Sequence, residues 1–231
     1  MSYPENPETI VVQNEFYPNG LREIDVWNHY QSVKQRLLKE VMNRNVMFGI
    51  ATDLNSVVLR RKGAGQDYIR LTHENYDSLI TGRTLTVYSE MNPYERFGII
   101  DIDVDPYDGW KWARKVAHDT YEYLVDKVPF ISTVKIRYTG KTSFHIICDF
   151  GRKNKIDSIR FLIDRTLRKS PLIKVYTVEA KRRPGVPNLD LSPNKIRGAY
   201  ITLGSLSTIG LKCMEVDYNR ILSFQPRMAR V

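Results

Sequence analysis

Three acidic residues alternate along one apolar segment of the chain, which reads FGIIDIDVDP at residues 97–106. The apolar run predicts a buried strand, and the two-residue period of a strand places Asp101, Asp103 and Asp105 on one face of it. Carboxylates that project together repel one another, so they favour a divalent cation, and their oxygen atoms select Mg²⁺ or Mn²⁺ over softer metals. The alternative is a solvent-facing strand that ends in an Asp-Pro turn, and it applies best to Asp105.

A second candidate site follows in the segment TGKTSFH at residues 139–145. Its glycine allows a tight turn, after which Ser143 and His145 share one face of a strand. Lys141 and Thr139 add donors for phosphate oxygens, so the segment suits the binding of a triphosphate. It is not a P-loop, because it lacks the preceding glycine and leads into a strand instead of a helix. For a single histidine, a hydrogen-bonded place in the core is the competing interpretation.

A third carboxylate, Asp190, lies between two leucines in NLDLS at residues 188–192. Cationic residues flank this segment, and two-metal phosphoryl transfer uses that combination, because carboxylates hold the ions and cations hold the phosphates. Taken alone, Asp190 also fits an Asx turn with Ser192. The flanking cations are Lys181, Arg182, Arg183, Lys195 and Arg197.

The positive charge is concentrated towards the end of the chain. The 231 residues carry a formal net charge of +9, yet residues 1–144 hold 18 Lys+Arg against 19 Asp+Glu. Residues 145–231 hold 17 Lys+Arg against 7 Asp+Glu. This asymmetry indicates a polyanionic partner, most often nucleic acid, with a solvated basic surface as the alternative.

Composition also excludes several classes of protein. No apolar run reaches the ~18 residues of a membrane span, and the N-terminus lacks the pattern of a secretion signal. Cys148 and Cys213 are too few for a four-cysteine zinc site, so we expect no zinc and reduced thiols. The expected location is therefore the cytoplasm, with the nucleic acid.

The elements that position the candidate residues are predicted from the spacing of apolar residues. Spacings of three and four predict helices at residues 24–42, 109–125 and 155–168. The strands at residues 133–138 and 143–150 should form a hairpin. The other predicted strands lie at residues 46–51, 57–60, 84–89, 97–104, 173–178, 199–203 and 211–216, before a helical turn at 218–222. Because strands and helices mix without a strict βαβ alternation, the predicted fold class is α+β.

Taken in order, the three segments resemble the motifs of the archaeo-eukaryotic primase superfamily: an apolar Asp-x-Asp strand, a Ser-x-His strand and a lone Asp between apolar residues. The similarity extends to VVLR at residues 57–60, RTLTVYS at 83–89, NKIR at 194–197 and GSLSTIGL at 204–211. The segment FYPNGLREIDVWNHY at residues 16–30 is also similar to the start of the polymerase domain of bacterial end-joining ligases. The resemblance covers most of residues 16–226, and the joint order of the motifs makes it specific.

The resemblance implies a nucleotidyltransferase that synthesises or extends short primers on a DNA template, using nucleoside triphosphates and two Mg²⁺ or Mn²⁺ ions. It implies that Asp101, Asp103 and Asp190 are catalytic residues that ligate the ions. The implied triphosphate contacts are Ser143, His145, Lys141 and Thr139, with Arg197 and Arg60 as further phosphate or template contacts. The cations expected to bind the nucleic acid are Arg61, Lys62, Lys181, Arg182, Arg183 and Lys195.

The implied fold is an α+β catalytic core with an RRM-like sheet that bears the Asp-x-Asp strand, beside a smaller N-terminal αβ unit. Residues 1–20, rich in Pro, Asn and Glu, are expected to form an extended arm. Residues 21–231 are expected to form a single primase-polymerase catalytic domain. A second primase subunit or further domains are the implied protein partners.

The sequence departs from the pattern of the superfamily in one loop. Small primase subunits commonly carry a His and a Lys after the third motif, where this chain has Ser207 and Thr208. A second register, by analogy with the end-joining ligases, would use Asp103 and Asp105 as the metal pair. An end-joining or gap-filling polymerase is the nearest functional alternative. A metal-dependent nuclease and a non-catalytic nucleic-acid-binding module are the alternatives from other classes.

Overall fold

The computed structural model describes residues 9–11, 14–53, 56–63, 65–104, 109–178 and 186–231. The chain divides into two compact units, and each is assembled from separate segments. The first unit comprises Met1–Glu90, Ala199–Cys213 and Pro226–Val231, and the second comprises Met91–Gly198 and Met214–Gln225.

The first unit is built on a four-stranded antiparallel sheet and one long helix. Its elements are β1 (Thr9–Val11), β2 (Leu21–Arg22), α1 (Glu23–Val41), β3 (Val46–Asp53), β4 (Ser56–Arg60), α2 (Tyr76–Leu79), β5 (Thr84–Glu90) and β10 (Ala199–Ile201). The sheet has the order β10-β5-β3-β4, and β1 pairs separately with β2. Helix α1 buries Val26, Tyr30, Leu37 and Val41, which the helical period places along one stripe.

The second unit is built on a five-stranded antiparallel sheet. Its elements are β6 (Tyr94–Asp103), α3 (Gly109–Lys127), β7 (Thr133–Tyr138), β8 (Phe144–Lys155), α4 (Ile156–Arg168), β9 (Asn188–Asp190) and β11 (Met214–Val216). The sheet has the order β11-β7-β8-β6-β9, so β6 lies between β8 and the short strand β9. The mixed α/β architecture with antiparallel sheets therefore agrees with the predicted fold class.

Strand β6 presents different chemistry on its two faces. Ile100 and Ile102 are fully buried, whereas Asp101 and Asp103, which alternate with them, are half-buried. Gly98 lies on the face of the isoleucines, and a Cβ there would come within 2.6 Å of side-chain atoms of two isoleucines of α4. Only a glycine lets α4 approach this face of β6 so closely. The carboxylates lie on the other face.

One predicted strand is wrong. Residues 173–178 do not form a strand: Pro171–Lys174 is a 3-10 helix, and Thr177 makes only an isolated bridge to Asn188. Proline is well placed at the start of a helical turn, and Ile173 is half-exposed, so no neighbouring strand covers the apolar run.

Other boundaries differ at the ends of elements. Strand β8 continues to Lys155, well past the predicted end at residue 150, because after a bulge it pairs again with the start of β6. Strand β9 was not predicted, since three residues carry too little periodicity. Segment Tyr218–Ser223 is a 3-10 helix, close to the predicted helical turn.

No helix in the described ranges combines the length and the apolar character that a membrane span needs. Cys148 and Cys213 are both buried and free, so neither contributes to a disulfide. Burial raises the pKa of the Cys148 thiol to about 12, which keeps it protonated and unreactive at neutral pH.

Candidate active site

The pairing of β6 with β9 brings the three candidate carboxylates together. Asp101 lies directly opposite Asp190, and Asp103 lies opposite Asn188. One carboxylate oxygen from each of Asp101, Asp103 and Asp190 lies within 4.8 Å of the others. Carboxylates at this distance repel one another, and a cation bound among them would relieve the repulsion. The donor set, which consists of hard oxygen atoms, fits a divalent ion such as Mg²⁺ or Mn²⁺.

Asp190 forms the turn with Ser192 that its sequence context allows. Its Oδ1 accepts a hydrogen bond from the Ser192 amide at 2.8 Å, and its Oδ2 accepts one from the Ser192 hydroxyl at 2.6 Å. This turn fixes the carboxylate at the end of β9. Each carboxylate oxygen has a second lone pair, so the turn is compatible with a role as a metal ligand.

A row of polar residues crosses the whole sheet of the second unit at one level. Glu215 on β11 pairs with Arg137, which pairs with His145, which pairs with Asp101, which pairs with Asp190. Directly opposed residues in antiparallel strands point to the same face. The candidate metal ligands therefore share their face of the sheet with a histidine and an arginine.

His145 is a neutral side chain beside the carboxylates. Burial, together with the positive charge of Arg137, lowers the pKa of His145 to about 3. Its Nε2 lies 3.6 Å from Asp101 Oδ1, which is beyond hydrogen-bond distance, and a neutral ring forms no ion pair. Its Nδ1 has no hydrogen-bond partner among the described residues. A buried polar atom in this state is costly, so it favours a ligand that supplies the missing partner.

Arg137 was not among the residues predicted from the sequence. It is almost completely buried on β7, directly opposite His145. The predicted hairpin could have pointed to it, because pairing the two strands across their loop places Arg137 opposite His145. A lone arginine within a strand is usually assigned to the solvent face, but Arg137 is buried on the face that carries His145.

The loop before His145 is closed by its own hydrogen bonds. The amide and the hydroxyl of Thr139 both donate to the Ser143 carbonyl, at 3.1 and 2.9 Å. Gly140 adopts a left-handed conformation with φ of 92°, which explains the glycine at this turn. The Thr139 hydroxyl thus has a structural task, while the Lys141 side chain is exposed and Ser143 is half-buried.

Asn194 supports the strand that carries the metal ligands. Strand β9 ends at Asp190, and beyond it the Asn194 side chain pairs with the main chain of β6. Its Nδ2 donates to the Ile99 carbonyl, and its Oδ1 accepts from the Ile99 amide at 2.7 Å. The fully buried amide therefore takes the place of a strand partner two residues before Asp101. A single Asn in a turn gives no sequence signal for this role.

The predicted cations fall into three groups. Lys195 and Arg197 are exposed in the turn that follows β9, in the same unit as the carboxylates. Arg60, Arg61 and Lys62 belong to the first unit. The third group, Lys181, Arg182 and Arg183, lies outside the described residues, as does the acidic candidate Asp105.

Two of the cations in the first unit have identifiable partners. Arg61 Nε lies 2.6 Å from Oε1 of Glu90, a buried carboxylate, so this arginine has a structural role whatever else it contacts. The Lys62 ammonium lies 5.6 Å from the centre of the Tyr68 ring, within the range of a cation–π contact. Arg60 is exposed at the end of β4, beside an open groove of about 520 Å³.

A second group of possible ligands lies on α3, where His118, Asp119 and Glu122 have ligand atoms within 4.8 Å of one another. The two carboxylates among them accept hydrogen bonds from tyrosines, Asp119 from the Tyr176 hydroxyl and Glu122 from the Tyr218 hydroxyl. The Tyr218 ring also stacks on His118, with 5.1 Å between ring centres. These contacts describe a hydrogen-bonded surface cluster.

Comparison with known proteins gives one informative result at the level of the fold. No protein-family model matches the chain, and no curated protein sequence matches it. The fold is similar to that of a solved structure described as the polymerase domain from Mycobacterium tuberculosis Ligase D in complex with DNA. The TM-score is 0.73 at 14% sequence identity, and the match covers 93% of this chain and 89% of that one. The chain therefore has the fold of a polymerase domain.

Proposed function

We propose that the protein is a template-directed nucleotidyltransferase of the primase-polymerase type, acting on DNA. One observation carries the proposal: the carboxylates of Asp101, Asp103 and Asp190 converge on one sheet face, beside His145, within a polymerase-domain fold. The similar domain of Ligase D was solved in complex with DNA, which supports DNA as the template.

The chemistry follows from the types of residue at the site. Asp101, Asp103 and Asp190 would hold Mg²⁺ or Mn²⁺, which when bound stabilises the charge on the attacking and leaving oxygens of phosphoryl transfer. His145 is neutral, so one of its ring nitrogens donates a hydrogen bond to the triphosphate. Lys141 and Ser143 add donors from the adjoining loop, and the closed loop keeps them in place.

The arrangement of elements supports the wider assignment. In the second unit, β6, α3, β7, β8, α4 and β9 follow one another as β-α-β-β-α-β, with the sheet order β7-β8-β6-β9. This is the element order of a ferredoxin-like or RRM-like core, and its first strand bears the Asp pair. We assign residues 21–231 to one catalytic domain that uses both units, with residues 1–20 as its arm.

The remaining cations are assigned to phosphates and the template. Arg197 and Lys195 lie next to the third carboxylate in sequence, so they serve the nucleotide and the strand near it. Arg60 and Lys62 are assigned to template phosphates. Arg61, Lys181, Arg182 and Arg183 complete the proposed nucleic-acid contacts.

The test is incorporation of labelled nucleotide on a single-stranded DNA template, with and without a primer, in Mg²⁺ and in Mn²⁺. Asp101→Asn combined with Asp103→Asn should reduce incorporation to background, because the ligands of the ions are lost. The matched control, Asp157→Asn with Asp164→Asn on α4, removes the same charge from the same unit and should retain activity. Full incorporation by the Asp101/Asp103 variant would overturn the site.

The same assay separates the two polymerase functions. Product on an unprimed template supports primer synthesis. Product only from a primed or gapped template supports the second candidate, an end-joining or gap-filling polymerase, which the similarity to a ligase-associated polymerase domain favours. Degradation of the DNA without incorporation would instead identify a nuclease.

A further inference from the structure

A basic and aromatic surface lies at the start of β6, at the opposite end of the strand from the carboxylates. Tyr94 is 56% exposed, and it lies directly opposite Lys155 of β8. Opposed residues in an antiparallel pair point to the same face, so the two side chains leave the sheet next to each other. Neither side chain belongs to the catalytic site described above.

A bulge next to this pair adds two more cations. Strand β8 pairs Asp149 with Phe97 and Asn154 with Glu95, so residues 150–153 stand opposite a single residue of β6. Arg152 and Lys153 are exposed in this bulge. Residues 152–155 thus contain three cations and no acid. We call Tyr94, Arg152, Lys153 and Lys155 the Tyr94 patch.

The acidic residues nearest in the pairing do not neutralise the Tyr94 patch. Glu95 is buried, and its carboxylate accepts a hydrogen bond from the Asn92 amide. Asp149 is paired with Arg96, with 2.9 Å between the nitrogen and the carboxylate oxygen. Asp157, exposed in the first turn of α4, offsets one of the three cations, so the patch keeps a net positive charge around an exposed aromatic ring.

We propose that the Tyr94 patch binds a single strand of nucleic acid. Such strands are bound by cations that follow the phosphates and by aromatic rings on which bases stack, and the patch supplies both groups together. A folded acidic protein would gain from the cations, but an isolated ring offers it no apolar pocket for an anchor. Charge and ring together therefore favour an unpaired nucleic-acid strand.

The position of the patch relative to the carboxylates follows from the strand that carries both. Tyr94 and Asp101 are seven residues apart on β6, or roughly 23 Å at the rise of a β-strand, and this odd spacing points their side chains to opposite faces of the sheet. Provided that the proposed function holds, the patch therefore binds a part of the template or product strand that lies away from the reacting end.

The experiment measures the affinity for labelled single-stranded DNA of about 8 and about 20 nucleotides by fluorescence anisotropy over a range of salt concentrations. Tyr94→Ala should weaken binding of the longer strand about tenfold, while Tyr94→Phe, which keeps the ring, should bind like wild type. Lys153→Ala with Lys155→Ala should reduce the slope of log affinity against log salt by about 1.4. Arg36→Ala with Lys39→Ala on α1 is the charge-matched control and should bind better than this variant.

Two outcomes would overturn the proposal. One is an affinity for the longer strand that is unchanged in both the Tyr94→Ala and the Lys153→Ala/Lys155→Ala variants. The other is patch-dependent binding of poly-glutamate with no dependence for DNA, which would identify an acidic protein as the partner. Because binding is measured without nucleotide incorporation, failure of the proposed catalytic function leaves this result interpretable.

Discussion

Asp101, Asp103 and Asp190 bring three carboxylates within 4.8 Å of one another. His145 adds no charge, because its pKa of about 3 leaves it neutral. Arg137 lies on the same face of the sheet, two strands from Asp101. Carboxylates this close repel one another, and a bound divalent ion would relieve the repulsion.

The repulsion predicts how thermal stability responds to metal. Asp103→Asn should raise the unfolding temperature in EDTA, because it removes one of three like charges. Wild type should gain stability with Mg²⁺ or Mn²⁺, by about 2.7 kcal/mol at a hundred times the dissociation constant, while the variant gains much less. Differential scanning calorimetry measures both effects. Asp164→Asn on α4 is the control, and an equal metal response in Asp103→Asn would contradict the assignment.

The candidate residues differ in how far the sequence could predict them. Asp101 and Asp103 follow from local alternation in an apolar run, so their shared face was predictable. The place of Asp190 beside Asp101 depends on a pairing between β6 and β9 that local periodicity does not encode. Arg137 was missed because its burial depends on its cross-strand neighbour His145, which lies on another strand.

The edge of the second sheet is completed by a side chain in place of a strand. Strand β9 has only three residues and pairs with β6 at residues 101–103. Beyond this pairing, the side-chain amide of Asn194 donates a hydrogen bond to the Ile99 carbonyl and accepts one from the Ile99 amide. Without that amide, two buried backbone groups of β6 would lose their partner beside the carboxylates.

Asn194→Ala should therefore destabilise the protein by about 1–3 kcal/mol for each backbone group left without a partner. Asn75→Ala is a matched control, because Asn75 also donates one hydrogen bond to the main chain and accepts one from it, but in an exposed site. Water replaces the lost partners there, so Asn75→Ala should lower the free energy of unfolding by well under half as much as Asn194→Ala. Urea titration measures both free energies of unfolding. Equal costs would show that Asn194 does not hold the edge of β6.

Whole elements were predicted best where periodicity was long. Helices α1, α3 and α4 begin and end within about two residues of the prediction, because each carries several turns of apolar spacing. The run at residues 173–178 was assigned to a strand from its apolar residues. Its first part instead belongs to the 3-10 helix that begins at Pro171. Sequence alone could not show that no strand pairs with that run, since pairing is a property of distant segments.

The two units are interleaved along the chain, so neither is a continuous segment. The first unit depends on residues 199–213, where the Gly204 carbonyl contacts the His29 ring and the Ser205 hydroxyl accepts from the Val87 amide. The second unit depends on residues 214–225, from which Phe224 packs against Tyr138. The last part of the chain therefore completes both cores.

A chain that stops at residue 198 should consequently fail to fold cooperatively. It loses β10 and β11 from the two sheets, and it leaves the buried Val87 amide without its Ser205 partner. Circular dichroism during heating should show a broad, low-temperature transition in place of a sharp one. Supplying residues 199–231 as a separate peptide should restore the sharp transition, because the lost strands and hydroxyl return. A sharp transition near that of the full chain, without the peptide, would mean that the two cores are complete before residue 199.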